Sequence, residues 1–173
     1  MASPAFRLLS SALGQRILDR HELPAMIRAR DLLNLAEALS RGATASEWRC
    51  TVGRAYYAAF HQARDVLQAL GFQIPRAELV HAFLWKRLQS CGRSPVGMAG
   101  SKLHQLRTVR NRADYDVAFD FSKTDAMAAV EISRQILDAF ETLTPDDRQA
   151  ALDVMTAYER DVLRETTWCA RPR

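Results

Sequence analysis

Apolar residues recur at spacings of three and four along almost the whole chain, and no segment alternates apolar and polar residues with period two. Such a pattern specifies helices and leaves no strand for a sheet, so it constrains the fold more than any single motif. In "LPAMIRARDLLNLAEALSRG", Met26, Leu32, Leu33, Ala36 and Leu39 fall at helical spacing and Gly42 offers a stop. "SEWRCTVGRAYYAAFHQARDVLQALG" reads as a long helix with Ser46 as N-cap and an end at Gly71. "RAELVHAFLWKRLQSCG" is a shorter helix, "RSPVGMAG" reads as a loop, and a further helix covers about 101–113. Two more starts are marked by caps. Ser122 is followed three residues later by Asp125, and Thr144 precedes Pro145 and two acids that face the positive helix end. The expectation is an all-α bundle with short connections.

The chain has 173 residues, enough for one domain with extensions. No apolar run approaches the ~18 residues of a transmembrane span. The opening "MASPAFRLLSSALGQRIL" has basic but no acidic residues and loosely resembles a transit peptide, yet lacks the apolar run of a secretory signal. It reads as a first amphipathic helix. Cys50, Cys91 and Cys169 are odd in number and far apart, which suggests neither a disulfide framework nor a zinc site and fits a reducing cytosol. Charge is unevenly placed. Residues 1–113 carry 17 basic and 7 acidic side chains (net +10), and residues 114–173 carry 7 and 13 (net −6). That asymmetry either attracts an anionic partner to the first part or is neutralised where acidic helices pack on basic ones.

Two helices carry the chemistry. On the long helix, Val52, Tyr56, Ala59, Phe60, Ala63, Leu67 and Leu70 form a core face. Arg54, Tyr57, His61 and Arg64 form a separate edge stripe. A cation–aromatic–imidazole–cation row can hold phosphate while Tyr57 stacks on a base. It can equally be a solvated edge that pairs with acids elsewhere. In "LHQLRTVRNRADYDV", Leu103, Leu106, Val109 and Ala113 share a side with Arg110, a cation that must meet a carboxylate, a phosphate or water. Arg107, Arg110 and Asp114 share a face, and Arg110 can pair with Asp114 at i, i+4.

"GRAYYAAFHQARDVLQALGF" followed by "LHQLRTVRNRADYD" resembles the HEPN domain, and the A-Y-Y-A-A-F-H run with a later R-x-x-A-D-Y resembles its small stand-alone prokaryotic branch. The likeness runs from about Met26 to Glu141. It implies an antiparallel four- to five-helix bundle over 26–141, a helical extension at 1–25, and a C-terminal helix with a basic tail at 142–173. It also implies a cytoplasmic homodimer of the toxin–antitoxin or antiviral defence type, often paired with a nucleotidyltransferase. No cofactor or membrane is implied.

Active members of the family cleave RNA without metal. They use an arginine on the scissile phosphate and a histidine of near-neutral pKa that moves protons. Carried over, the arginine is Arg110, followed by Asn111 as in many members. The histidine is absent: five residues after Arg110 stands Tyr115, and a tyrosine of pKa ~10 is a poor base at neutral pH. Two expectations follow. One is a module that engages RNA, a nucleotide or a protein through Arg54, Tyr57, His61, Arg64, Arg107, Arg110, Asn111 and Asp114 without efficient cleavage. The alternative is a metal-independent ribonuclease in which Arg110, with Tyr115 nearby, borrows a histidine from His61 or His104. A third account is purely structural, with Arg110 and Asp114 fixing the packing.

Overall fold

Among the described residues, helical periodicity is realised as six α-helices: α1 (Ala29–Ser40), α2 (Ala45–Ala69), α3 (Leu79–Ser90), α4 (Pro95–Tyr115), α5 (Lys123–Glu141) and α6 (Pro145–Tyr158). A π-helical turn, Glu159–Leu163, continues α6. The structure, a computed structural model, describes residues 27–76 and 78–170. The expected helix within 1–25, Met26 and the last arginines of the basic tail lie outside the described residues. No helix among the described residues is long and apolar enough to cross a membrane.

Two boundaries depart from the sequence expectation. The N-cap of α2 is Thr44, not Ser46: the Glu47 N–H donates to Thr44 Oγ1 at 3.3 Å, and Glu47 accepts from the Thr44 N–H at 3.0 Å. The reciprocal box needs an acid three residues after the cap, which Thr44 has and Ser46 lacks. The second departure is larger. "RSPVGMAG" is not a loop but the start of α4, with Ser94 as N-cap and Pro95 in the first turn. Its glycines serve close packing instead of turning the chain. A Cβ on Gly97 would lie 2.1 Å from Gly92 O, and one on Gly100 would lie 2.6 Å from Gln89 N. The caps expected at Ser122 and Thr144 are present, each bonded reciprocally to an aspartate three residues on.

Helix α2 is the spine of the bundle and packs against α1, α4 and α5, while α3 pairs with α4 and α6 rests on α3. Its expected core face is buried from Val52 to Leu67, with Leu70 half-buried at the end. Some of the charge asymmetry is resolved inside the fold. Arg30 reaches Asp138 and Glu141 (Arg134 with Glu37 runs the other way), and the buried Arg87 meets Glu159 and Glu165.

The last of these ties the C-terminal segment to the bundle. Gly71 ends α2 with φ +102°, and the chain after α6 returns alongside it. Gln73 N–H donates to Thr167 O at 2.9 Å, Cys169 N–H to Gly71 O at 3.0 Å, and the Trp168 indole to Leu70 O at 2.9 Å.

Candidate functional site

The C-terminal half of α4 projects Arg107, Arg110 and Asn111 into a cleft of about 270 Å³ whose other walls are Tyr56 of α2, Glu78 and His81 at the start of α3, and Tyr115. Each wall has a local cause. Tyr56 is held by the α2 core face and is 1 % exposed. His81 lies beside the buried stripe Val80, Phe83, Leu84 of α3, and its ring packs against Tyr56 and Phe60 of α2, with centroids 5.8 and 5.0 Å away. The end of α4 is fixed by Arg49 of α2, which donates to Ala113 O at 2.7 Å, Asp116 O at 3.0 Å, Val117 O at 3.3 Å and also to Phe119 O. One guanidinium thus satisfies carbonyls that a helix end leaves open. It also orders the turn after Tyr115.

Arg110 pairs with Asp114 on its own helix. Its Nε is 2.6 Å from Asp114 Oδ2, yet the buried Nε–H is not aimed at that oxygen or any other acceptor. Nη1 donates to Asn111 Oδ1 at 3.3 Å. The guanidinium lies 5.7 Å from the Tyr57 ring and 5.5 Å from the Tyr115 ring. Arg107 has no carboxylate partner among the described residues. Two arginines therefore share a small cleft, one paired with Asp114 and one without a carboxylate. Glu78 is the acid among the lining residues.

His81 and Tyr56 form the second feature. Tyr56 Oη and His81 Nδ1 are 2.6 Å apart. Burial pushes the phenol well above its ordinary pKa, so it keeps its proton. If Nδ1 carried the hydrogen, the buried phenolic O–H would lack an acceptor, so the hydroxyl donates to Nδ1 and the imidazole hydrogen resides on Nε2. Burial first, then the nearby Arg107 and Arg110, hold the imidazole below its usual range, while Glu78 opposes them. At neutral pH His81 is an uncharged donor.

The residues of the edge stripe divide. Tyr57 touches Arg110, and Arg54 lies 5.8 Å from the Tyr57 ring, so both adjoin the cleft. His61 sits one turn along, with its ring 6.3 Å from Tyr57 and 5.3 Å from Phe60, and is not a lining residue; burial holds its pKa below the usual range. Arg64 is exposed farther along α2. His104 stacks on Trp85 and does not line the cleft either. The imidazole beside Arg110 is His81, which the sequence reading did not single out, and Tyr56 joins it from what reads as pure core. A register between α3 and α4 brings them together, and spacing within one helix does not display it.

A family model described as HEPN domain matches residues 25–143. No curated protein and no solved structure matches the chain.

Proposed function

Because the chain belongs to the HEPN domain family, we propose that the cleft between α2, α3 and α4 binds the phosphate backbone of RNA without efficiently cleaving it, in a cytoplasmic system of the toxin–antitoxin or defence type. The observation that carries this reading is the shared cleft of Arg107 and Arg110, in which Arg107 has no carboxylate partner among the described residues. Charged donors in such a setting bind anions strongly, and an arginine fork suits phosphate oxygens. The hydrogen on Nε2 makes His81 a third donor and leaves no basic nitrogen to take a proton from a 2′-hydroxyl. Exposed Tyr115, Val117 and Phe119 beside the cleft favour a homodimer. Light scattering should then give about twice the 19.5 kDa chain mass. The proposed protein partner is a nucleotidyltransferase, to be tested by co-purification.

One observation favours a second reading: an imidazole and Arg110 do occupy one cleft. If the Tyr56–His81 proton shifts when substrate binds, His81 becomes the general base of a metal-independent ribonuclease. Both readings are tested with labelled single-stranded RNA in chelator. The first expects salt-dependent binding that Arg110→Ala and Arg107→Ala weaken, with negligible cleavage. Cleavage abolished by His81→Ala would establish the second. Cleavage gained only in Tyr115→His would show a binding scaffold that lacks just its proton-transfer group.

A further inference from the structure

From Leu79 to Ala113 the chain contains seven basic side chains and not one acid. This run is the α3–α4 hairpin. Only Arg87 within it is buried against carboxylates, those of Glu159 and Glu165. Lys86, Lys102 and Arg107 have no carboxylate partner among the described residues. The hairpin therefore extends the cationic character of the cleft along a seam.

The seam has a definite order. Gln89 of α3 meets Ser101 of α4, Trp85 meets His104, and His81 sits near Arg107. Trp85 follows His81 by one turn on α3, and His104 precedes Arg107 by one turn on α4. The Trp85 and His104 rings stack with centroids 4.2 Å apart and planes tilted by 35°. His104 is exposed, and the Lys86 ammonium lies 5.8 Å from the Trp85 ring. The indole Nε1–H is buried without an acceptor, so this stack is not held by hydrogen bonds at that atom.

Resting on the reading of the cleft as a phosphate site, we propose that Trp85 and His104 form a base-stacking platform. The ligand is then a single-stranded RNA whose backbone lies at Arg107 and Arg110 and one of whose bases packs on this pair. The six residues from His104 to Arg110 span about 9 Å of helix axis, a distance a flexible nucleotide bridges. Aromatic platforms next to cationic tracks are how single strands are held without dependence on base identity. Lys86 and Lys102 supply cations beyond the platform for further phosphates.

The test uses the full chain and two fluorescent probes of about ten nucleotides, a mixed-sequence single-stranded RNA and an abasic oligonucleotide with the same number of phosphates. Wild type should bind the RNA more tightly than the abasic strand. Trp85→Ala and His104→Ala should each weaken RNA binding between about fivefold and about a hundredfold, with abasic binding little changed. Trp85→Phe, which keeps a ring, should recover most of the loss. Because His104 is exposed, His104→Ala remains informative should Trp85→Ala unfold. Equal affinity for both probes, unchanged in His104→Ala and Trp85→Phe, would overturn the platform and leave the phosphate cleft standing. Binding of neither probe removes the cleft reading and the platform together.

Discussion

Glu159→Ala should be among the most damaging single substitutions far from the cleft. The Glu159 side chain is 2 % exposed and accepts from Arg87 Nε at 2.7 Å, Thr167 N–H at 2.9 Å, Trp168 N–H at 3.2 Å and the Thr167 hydroxyl. Removing it takes from Arg87, equally buried, one of its two carboxylates and unpins the returning C-terminal segment. Breaking a buried pair by deleting one partner costs about 3–5 kcal/mol. Arg87 retains Glu165 at 2.5 Å and the Phe83 carbonyl at 3.4 Å, so the cost should fall near the lower end, about 3 kcal/mol. For a domain this size that corresponds to a melting point lower by roughly 6–12 °C. Urea denaturation followed by circular dichroism gives the free energy directly.

The same pair makes two further demands. Exchanging both partners for apolar residues, as in Arg87→Met with Glu159→Leu, should recover the share of the loss due to a buried unpaired charge, while the Thr167 and Trp168 donors stay without their acceptor. Acid should weaken the native protein through this carboxylate. Burial alone would raise its pKa, but the bonds from Thr167 and Arg87 outweigh burial and hold it below the ordinary value. Its contribution is therefore complete above the unfolded carboxyl pKa of ~4.3 and is lost as pH falls through the lower folded value. A cost below about 1 kcal/mol for Glu159→Ala, the figure for an exposed pair, would refute the argument.

Three other outcomes are expected. Arg110 and Asp114 have side chains 18 % and 34 % exposed, so Asp114→Ala should fall between an exposed and a buried pair, about 1–3 kcal/mol, and should tighten RNA binding by freeing the arginine; a loss of about 3–5 kcal/mol by urea denaturation would make the pair a packing element instead. Arg49→Ala removes the donor to four carbonyls and should speed amide exchange at 114–121 while α6 exchanges as before; unchanged exchange there would deny Arg49 its clamping role. His81 should titrate below the ordinary ~6.5 in NMR. Its neutral form favours the fold above that value, and the contribution declines as pH falls toward the folded pKa; a midpoint at or above ~6.5 contradicts the environment described.

Local pattern made the fold legible. The 3.6-residue period, the Ser122 and Thr144 caps and Gly71 are signals confined to a few neighbouring residues, and each appears where expected. Failures occurred where a short segment has two physical uses. Gly97 and Gly100 read as breakers, since composition does not tell whether a glycine turns the chain or admits another backbone. Ser46 and Thr44 are both cap residues, and Glu47 decides between them. The site was half legible. Arg107, Arg110 and Asn111 follow from helix spacing, but His81 lies on another helix in an apolar stretch, and only tertiary register distinguishes it from His61 and His104.

That register is set by the residues that read as a loop. Starting α4 at Pro95 instead of near 101 adds the first turns that carry Gly97 and Gly100, and Gly100 lets α4 approach the end of α3 at Leu88 and Gln89. With that end fixed, antiparallel helices of equal rise bring matching turns together in sequence: Gln89 with Ser101, Trp85 with His104, His81 near Arg107. Arg49 fixes the opposite end of α4 through its carbonyls. A glycine contact at one end and an arginine clamp at the other thus determine which side chains share the cleft. A bulky residue at Gly100 would displace α4 from α3 and separate His81 from Arg107 without altering any residue of the cleft itself. The position of the cleft is accordingly written in the packing of the hairpin as much as in the residues that line it.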